Sequence, residues 1–218
     1  MPEGFIFGSG AQGRVALDVL KLQFPETNWF FIDENPSLWN QKVNGSLIVG
    51  GLDALKDKRE CKLHIALGKP SAKEKVTKTC EAMNIELINA VHPSAIILPS
   101  AVIGQGVFIG AGAVINTDAK IGKGAVINTR AVVEHDTIVG DFANISPTAC
   151  LGGRVTIGKG SFIGSGAIVL ARTVIGGNSV VGMGAVVTRD IPENKMAYGV
   201  PARIVKNIDE TTDWSKIL

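Results

Sequence analysis

Long hydrophobic runs and a strong net charge are both missing from this sequence. The formal net charge is +2 over 218 residues, which gives no electrostatic basis for binding nucleic acid or an anionic membrane. No apolar stretch approaches the roughly 20 residues that span a bilayer. The first five residues, Met1 to Phe5, lack the basic start and apolar stretch of a signal peptide. We therefore expect no nucleic-acid partner, no membrane insertion and a cytoplasmic location.

Cysteine, histidine and tyrosine are also scarce. The three cysteines (Cys61, Cys80 and Cys150) are odd in number and scattered, so they predict no disulfide framework. The three histidines are too dispersed for a zinc site, which needs about three imidazole ligands around an open position. One tyrosine against 26 glycines favours a β-structure built from aliphatic residues. We expect no metal.

A repeat of six residues dominates the second half of the chain. From Ile97 to Val187 every sixth residue is Ile, Leu or Val, over sixteen positions, and the residue two before it is always Ala, Val, Thr or Ser. Helices repeat every 3.6 residues and ordinary strands every two, so neither explains this period. A hexapeptide period is typical of a β-helix.

Three hexapeptides per coil would stack residues that are eighteen apart. Because side chains alternate along a strand, the aliphatic residue and the small residue two before it both point inward. Each buried aliphatic residue stabilises the fold by roughly 1.5–3 kcal/mol. Glycine follows the aliphatic residue in nine of the sixteen repeats, and we expect these glycines to provide turns with positive φ.

The first ninety residues instead alternate apolar strands with helical segments, which predicts a small parallel α/β domain. Gly8, Gly10 and Gly13 form G-x-G-x-x-G after a strand and at the start of a helix, and Asp33 follows at the distance of a ribose-binding acid. Such a loop lets the backbone approach a phosphate or sugar. We interpret it as a site for a nucleotide-linked or sugar ligand. An NAD-type role and a purely structural turn are the alternatives.

Within the repeat, histidine occurs once, at His135, between Glu134 and Asp136. Either carboxylate could orient one ring nitrogen and raise the basicity of the other. Eighteen residues later comes Gly153, which would leave a backbone amide available above the ring. A base beneath an amide donor suits acyl transfer, because the amide stabilises the oxyanion. For His64 and His92 we expect structural roles.

Four motifs together give the chain a resemblance to a known family. The chain resembles the NeuD/PglD-like sugar acyltransferases, which join a Rossmann-like N-terminal domain to a left-handed β-helix of hexapeptide repeats. The motifs are residues 8–13, His92-Pro93-Ser94-Ala95, Asn128-Thr129 leading to 134–136, and Gly199-Val200-Pro201-Ala202-Arg203. The predicted domains are a Rossmann-like sugar-nucleotide-binding domain (1–90), a left-handed β-helix acyltransferase domain (91–208) and a C-terminal tail (209–218).

The resemblance also implies acetyl-CoA as cosubstrate and a homotrimer with active sites between adjacent solenoids. It places His135 as the base, Asp136 as its acid partner and Gly153 as the amide that holds the thioester carbonyl. The remaining implied residues are Ser165 and Met183 on a CoA-binding track, and Gly8, Gly10, Gln12 and Asp33 in the sugar-nucleotide pocket.

Four residues at three places in the chain depart from the family pattern, all on the acceptor side. Gln12 and Asn144 stand where the family commonly has histidine, and Lys69-Pro70 replaces a polar pair. The resemblance implies an acetyl-CoA-dependent N-acetyltransferase that acts on a nucleotide-linked amino sugar in bacterial surface-glycan biosynthesis. The alternatives are a sialic-acid-type sugar O-acetyltransferase and a non-catalytic, ligand-binding trimeric scaffold.

Overall fold

The computed structural model describes residues 1–56, 58, 61–209 and 212. The chain divides into two compact units, Met1–Pro93 and Ser94–Leu218, whereas the predicted domain boundary lies between Ala90 and Val91. Of the predicted C-terminal tail (209–218), only Asp209 and Thr212 fall within the described residues, and the rest of the tail lies outside them. None of the helices in these ranges is both long and apolar enough to cross a membrane.

The first unit is a three-stranded parallel sheet with β1 in the centre, flanked by β2 and β5. Helix α1 packs on β1 and helix α2 packs on β5. Phe5 and Phe7 of β1 join Leu63 and Ile65 of β5 in one buried cluster. The elements are β1 (Glu3–Phe7), α1 (Ala11–Gln23), β2 (Asn28–Ile32), β3 (Lys42–Val43), β4 (Ser46–Leu47), β5 (Lys62–Ile65), α2 (Pro70–Ala82) and β6 (Ala90–Val91), with 3-10 turns at Pro36–Leu38 and Leu52–Leu55.

The second unit is a parallel β-solenoid made of two-residue strands that recur every six residues. They are β7 (Ile96–Ile97), β8 (Val102–Ile103), β9 (Phe108–Ile109), β10 (Val114–Ile115), β11 (Lys120–Ile121), β12 (Val126–Ile127), β13 (Val132–Val133), β14 (Ile138–Val139), β15 (Asn144–Ile145), β16 (Cys150–Leu151), β17 (Thr156–Ile157), β18 (Phe162–Ile163), β19 (Ile168–Val169), β20 (Val174–Ile175), β21 (Val180–Val181) and β22 (Val186–Val187). The predicted solenoid after a Rossmann-like α/β region is confirmed.

Every third strand pairs with the next coil, which creates three faces. The first face contains β7, β10, β13, β16, β19 and β22, the second β8, β11, β14, β17 and β20, and the third β9, β12, β15, β18 and β21. Val114 pairs with Val132, and Val132 with Cys150, so residues eighteen apart stack as predicted. We call the turns that follow the strands of the first, second and third faces the first, second and third corners.

The interior of the solenoid follows the repeat. The sixth-position aliphatic residues are buried from Ile109 through Val187. The small residues two before them are buried as well, Thr137 and Ser161 included. Two longer strands, β23 (Lys195–Gly199) and β24 (Ala202–Asn207), form an antiparallel pair, and β23 continues the third face from β21.

The expectation for the repeated glycines is wrong in its physical reason. The glycine that directly follows each aliphatic residue does not have positive φ. It is needed because the next coil comes close: a Cβ on Gly158 would lie 2.3 Å from the amide nitrogen of Gly177. Positive φ occurs two residues further on, as at Asp136 (57°) and Arg154 (62°).

Candidate active site

The residues 134–137 form the first-corner turn that follows β13. Val133 is buried in the solenoid interior, so the chain leaves the core just before Glu134 and returns to it at the buried Thr137. The side chain of His135 is 52% exposed. Asp136 has left-handed backbone geometry. The turn therefore presents the imidazole on the outside of the corner.

Asp136 orients the His135 ring. The Nδ1 atom of His135 lies 2.8 Å from Oδ2 of Asp136. The hydrogen bond from His135 holds the pKa of Asp136 below its ordinary value, with a further contribution from Arg154. Because an ionised carboxylate only accepts hydrogen bonds, Nδ1 carries a proton in this contact, and in the neutral imidazole Nε2 is the nitrogen with the lone pair. Nε2 is then free to accept a proton.

Two further residues support this pair. Arg154 stands one coil above Asp136, and its Nε donates to the same carboxylate oxygen at 3.4 Å. Glu134 accepts hydrogen bonds from Asn116 Nδ2 (3.0 Å) and from the backbone N–H of His135 (3.3 Å). The residues alone left both carboxylates as possible partners of the imidazole. In the structure Asp136 contacts the ring, whereas Glu134 contacts the Asn116 side chain and the backbone of the turn.

Gly153 packs directly against the imidazole. A Cβ on Gly153 would lie 2.5 Å from Nε2 and 2.7 Å from Cε1 of His135, so only glycine leaves room for the ring in this place. The φ of Gly153 is not positive. Its N–H donates to no acceptor within the described part of the chain, so it is available to a ligand beside Nε2.

Ser165 and Met183 lie at a different corner. They are eighteen residues apart and stacked, and the N–H of Gly184 donates to the carbonyl of Ser165 at 2.9 Å. Both belong to third-corner turns, after β18 and β21, whereas Gly153 follows β16 on the first face. The register thus joins Ser165 to Met183 but places neither of them over Gly153.

The three glycines of the G-x-G-x-x-G loop have three different roles. Gly8 has a φ of 99°, and a Cβ there would lie 3.0 Å from the carbonyl oxygen of Ala66. At Gly13 a Cβ would lie 1.9 Å from the carbonyl oxygen of Gly8, so the helix start needs a glycine. A Cβ on Gly10 would meet no atom outside its own chain neighbours within 4 Å. Gly10 is therefore the open point at which a phosphate or sugar can approach the backbone.

Asp33 is already engaged by its own domain. Its Oδ2 accepts hydrogen bonds from the N–H (3.1 Å) and Oγ (2.6 Å) of Ser9, and its Oδ1 accepts the N–H of Asn35 at 3.0 Å. Burial raises the pKa of Asp33, but the hydrogen bonds from Ser9 and Asn35 outweigh it, and the pKa lies below its ordinary value. Asp33 thus fixes the glycine-rich loop to the end of β2.

A cavity of about 640 Å³ opens beside this loop. Gly8 and Asp33 contribute to its wall together with Trp39 and Lys75, but Gly10 and Gln12 do not. The indole of Trp39 donates to the backbone carbonyl of Asp33 at 2.7 Å, which fixes an aromatic wall. Gln12 Nε2 is buried and has no hydrogen-bond partner in the described ranges. The predicted substrate residues are therefore brought together in part.

His64 is a core residue, as expected from its strand. It is fully buried in β5, and its Nδ1 lies 3.1 Å from the carbonyl oxygen of Ile88. Burial, with a contribution from nearby Lys73, lowers the pKa of His64 to about 3.

Three family models match parts of the chain. The PglD N-terminal domain matches residues 5–80, the hexapeptide repeat of succinyl-transferase matches 100–134, and the bacterial transferase hexapeptide (six repeats) matches 154–189. No curated protein gave a significant match to the sequence.

Solved structures match over nearly the whole chain. A mutant of GDP-perosamine N-acetyltransferase from Caulobacter crescentus, in complex with CoA and GDP-perosamine, is 34% identical over 95% of this chain and 98% of its own, with a TM-score of 0.89. The acetyltransferase domain of PglB from Neisseria gonorrhoeae, in complex with acetyl coenzyme A, is 30% identical over 93% and 98%, with a TM-score of 0.88. WeeI from Acinetobacter baumannii is 26% identical over 93% and 100%, with a TM-score of 0.87. The chain belongs to the hexapeptide-repeat sugar acetyltransferases that carry a PglD-type N-terminal domain.

Proposed function

We propose that this acetyltransferase transfers the acetyl group of acetyl-CoA to the amine of a nucleotide-linked amino sugar, in bacterial surface-glycan biosynthesis. The observation that carries the proposal is the first corner. There, Asp136 accepts a hydrogen bond from Nδ1 of the His135 ring, and Nε2 lies against a glycine whose N–H is available. A base next to an amide donor is the combination that acyl transfer requires.

The reaction follows from these two groups. The acceptor amine attacks the thioester carbonyl, a C–N bond forms, and Nε2 of His135 takes the proton that the amine loses. Asp136 stabilises the resulting imidazolium through Nδ1, and the N–H of Gly153 donates to the oxyanion. As the C–S bond breaks, the imidazolium returns the proton to the departing thiolate of CoA. The base is regenerated, and no further reactant is needed.

We propose a homotrimer because acetyl-CoA must contact two corners. Gly153 lies at the first corner, and the predicted track of Ser165 and Met183 lies at the third, so a neighbouring chain is needed to bring the two groups together. Outward aliphatic side chains on the second face favour such packing: Val102, Ile138 and Val174 are 59%, 44% and 46% exposed in the single chain. A second copy of the solenoid would bury them.

The N-terminal cavity is the proposed pocket for the nucleotide part of the acceptor. It combines an aromatic wall at Trp39, a cation at Lys75 and Gly8 of the glycine-rich loop, which suit a base, a phosphate and a close backbone approach respectively. The Caulobacter relative was crystallised with GDP-perosamine. A sugar nucleotide is therefore the acceptor class that we propose here.

The test is a thiol-release assay with acetyl-CoA and a panel of acceptors. The panel contains UDP-, GDP- and dTDP-linked 4-amino sugars and free sialic acid. Turnover with an amino-sugar nucleotide is the expected result, and turnover with sialic acid alone would assign the O-acetyltransferase alternative instead. His135→Ala should lower kcat by about 10²–10⁴-fold while CoA still binds. Full activity of that variant would refute the mechanism.

A further inference from the structure

Thr137 is a buried hydroxyl next to the candidate site. It lies two residues after His135, points into the solenoid and is completely buried. Ten of the sixteen repeats have alanine at this inward position, so the fold does not require a hydroxyl there. A hydroxyl at full burial must form hydrogen bonds to offset its desolvation.

Its hydrogen bonds lead to the turn that contains Gly153. Thr137 Oγ1 donates to the carbonyl oxygen of Gly152 at 3.0 Å, and the N–H of Val155 donates to Thr137 Oγ1 at 3.2 Å. The hydroxyl is thus inserted between the two ends of the 152–155 turn.

Several turns above an inward alanine close directly between two backbone groups. Above Ala113, the N–H of Ala131 donates directly to the carbonyl of Asn128 at 3.0 Å. Above Ala131, the N–H of Ala149 donates directly to Ser146 at 3.2 Å. At 152–155 the closure instead runs through the Thr137 hydroxyl.

The bond to Gly152 fixes the direction of the Gly153 amide. The carbonyl of Gly152 and the N–H of Gly153 belong to one peptide group, and in a trans peptide they point in opposite directions. Because Thr137 draws the carbonyl oxygen towards the solenoid interior, the N–H points outward, on the side of His135. A hydrogen bond to the carbonyl also polarises the peptide and strengthens its N–H as a donor.

We infer that Thr137 is a positioning residue that aims the Gly153 N–H at the thioester oxygen of acetyl-CoA. The inference rests on the proposed function, since it concerns the oxyanion of that reaction. Thr137 itself touches no reacting atom. It acts through the Gly152–Gly153 peptide, whose N–H has no acceptor among the described residues.

A matched control exists at another corner. Ser161 forms the same bridge: its Oγ donates to the carbonyl of Gly176 at 2.8 Å and accepts the N–H of Ser179 at 3.1 Å. That turn is at the second corner, on a coil without a histidine. If the inward hydroxyl only supports the fold, removing either one should have the same consequence.

The experiment compares Thr137→Val, Thr137→Ala, Thr137→Ser and Ser161→Ala in the intact protein. Each is assayed for kcat with acetyl-CoA and the acceptor that turns over in the panel above, for the Kd of CoA and for Tm. Loss of a whole oxyanion donor costs about 10²–10³ in kcat, and a misdirected donor should lose part of that. We expect kcat to fall about 10-fold or more in Thr137→Val and Thr137→Ala. Thr137→Ser and Ser161→Ala should stay within about twofold of wild type.

Two further readouts separate positioning from support. The Kd of CoA and the pH profile of kcat should not change in Thr137→Val, because the His135–Asp136 pair is untouched. Wild-type kcat in both Thr137→Val and Thr137→Ala, or an equal loss in Ser161→Ala, would overturn the inference. The proposed function fails by a different result, namely full activity of His135→Ala or silence across the acceptor panel.

Discussion

The contact between Gly153 and His135 allows one methyl group to test the site. In Gly153→Ala, the new Cβ would lie 2.5 Å from Nε2, 2.7 Å from Cε1 and 3.0 Å from Cδ2 of His135, whereas ordinary contacts begin at 3.4 Å. All three atoms lie on the edge of the imidazole that faces Gly153, so the ring cannot avoid the new methyl group by turning within its own plane. The imidazole must move by about 0.9 Å, the shortfall at Nε2.

The ring is the part that yields. The His135 side chain is about half exposed, and Gly153 has no positive φ that alanine would strain, so the fold should accept the change. A displacement of about 1 Å between reacting groups can cost about 10²-fold in rate. We expect kcat to fall about 10²-fold, with Tm within about 2 °C of wild type, since surface changes without backbone strain alter stability little.

The assay is thiol release at saturating acetyl-CoA and acceptor, with Gly177→Ala as the control. Gly177 has the same position in its hexapeptide and no positive φ, and a Cβ there meets only the carbonyl oxygen of Lys159 at 3.2 Å and its amide nitrogen at 3.8 Å. Gly177→Ala should keep full activity. If Gly153→Ala also kept its kcat within about threefold while His135→Ala was inactive, Nε2 would not react from its position against Gly153.

Three other predictions concern assembly and stability. His135→Ala and Met183→Arg should each be inactive alone. When the two variants are co-expressed and mix equally in trimers, about a quarter of the sites should combine an intact first corner with an intact third corner of the neighbour, and activity should return. No activity in the mixture would argue against a site shared between chains. His64 has a pKa of about 3 when folded and 6.5 when unfolded, so between these values the unfolded state binds more protons than the folded state. The free energy of unfolding therefore decreases as the pH is lowered below 6.5, by up to about 1.4 kcal/mol per pH unit. Urea unfolding at pH 7.5 and 5.5 should show this loss in wild type and a smaller one in His64→Leu. Burial lowers the pKa of Lys73 from 10.5 to about 7, so Lys73 destabilises the folded state most below pH 7 and hardly at all by pH 10.5. Lys73→Met should therefore raise Tm at neutral pH. A Tm difference between this variant and wild type that grew with increasing pH would contradict the prediction.

Much of the fold could be predicted from the sequence because burial repeats along it. The hexapeptide pattern predicted the inward aliphatic positions through Val187, since each buried strand leaves the same trace. The G-x-G-x-x-G pattern was predicted to lie after a strand and at the start of a helix, and helix α1 is observed at Ala11–Gln23. The hairpin of β3 and β4 was missed, although Asn44 and Gly45, both with positive φ, are a known turn signal.

The candidate site was harder to predict, because choices between partners depend on distances. Glu134 and Asp136 flank His135 equally in sequence, and only the left-handed turn at Asp136 decides which carboxylate reaches Nδ1. Arg154 was not predicted as part of the site, although it follows Asp136 by eighteen residues and therefore stacks on it in the next coil. The hydrogen bond between Ser9 and Asp33 left no trace in the spacing, so the structure adds a second role to Asp33: it lines the cavity and also holds the glycine-rich loop.

The first corner acquires its chemistry from few departures from an otherwise uniform repeat. Left-handed geometry recurs at the third turn residue of most coils, whatever the side chain, so the repeat itself places residues 135 and 136 within hydrogen-bonding reach. In the proposed mechanism the histidine at 135 is the base, the glycine at 153 makes room for its ring, and the hydroxyl at 137 turns the amide above it outward. A glycine in this turn position does not by itself create a site: Gly177 has the same position in its hexapeptide, but the residue eighteen before it is Lys159 and not a histidine. The site thus depends on two residue pairs that only the coil register brings together: His135 with Gly153, eighteen residues apart, and Thr137 with Gly152, fifteen residues apart.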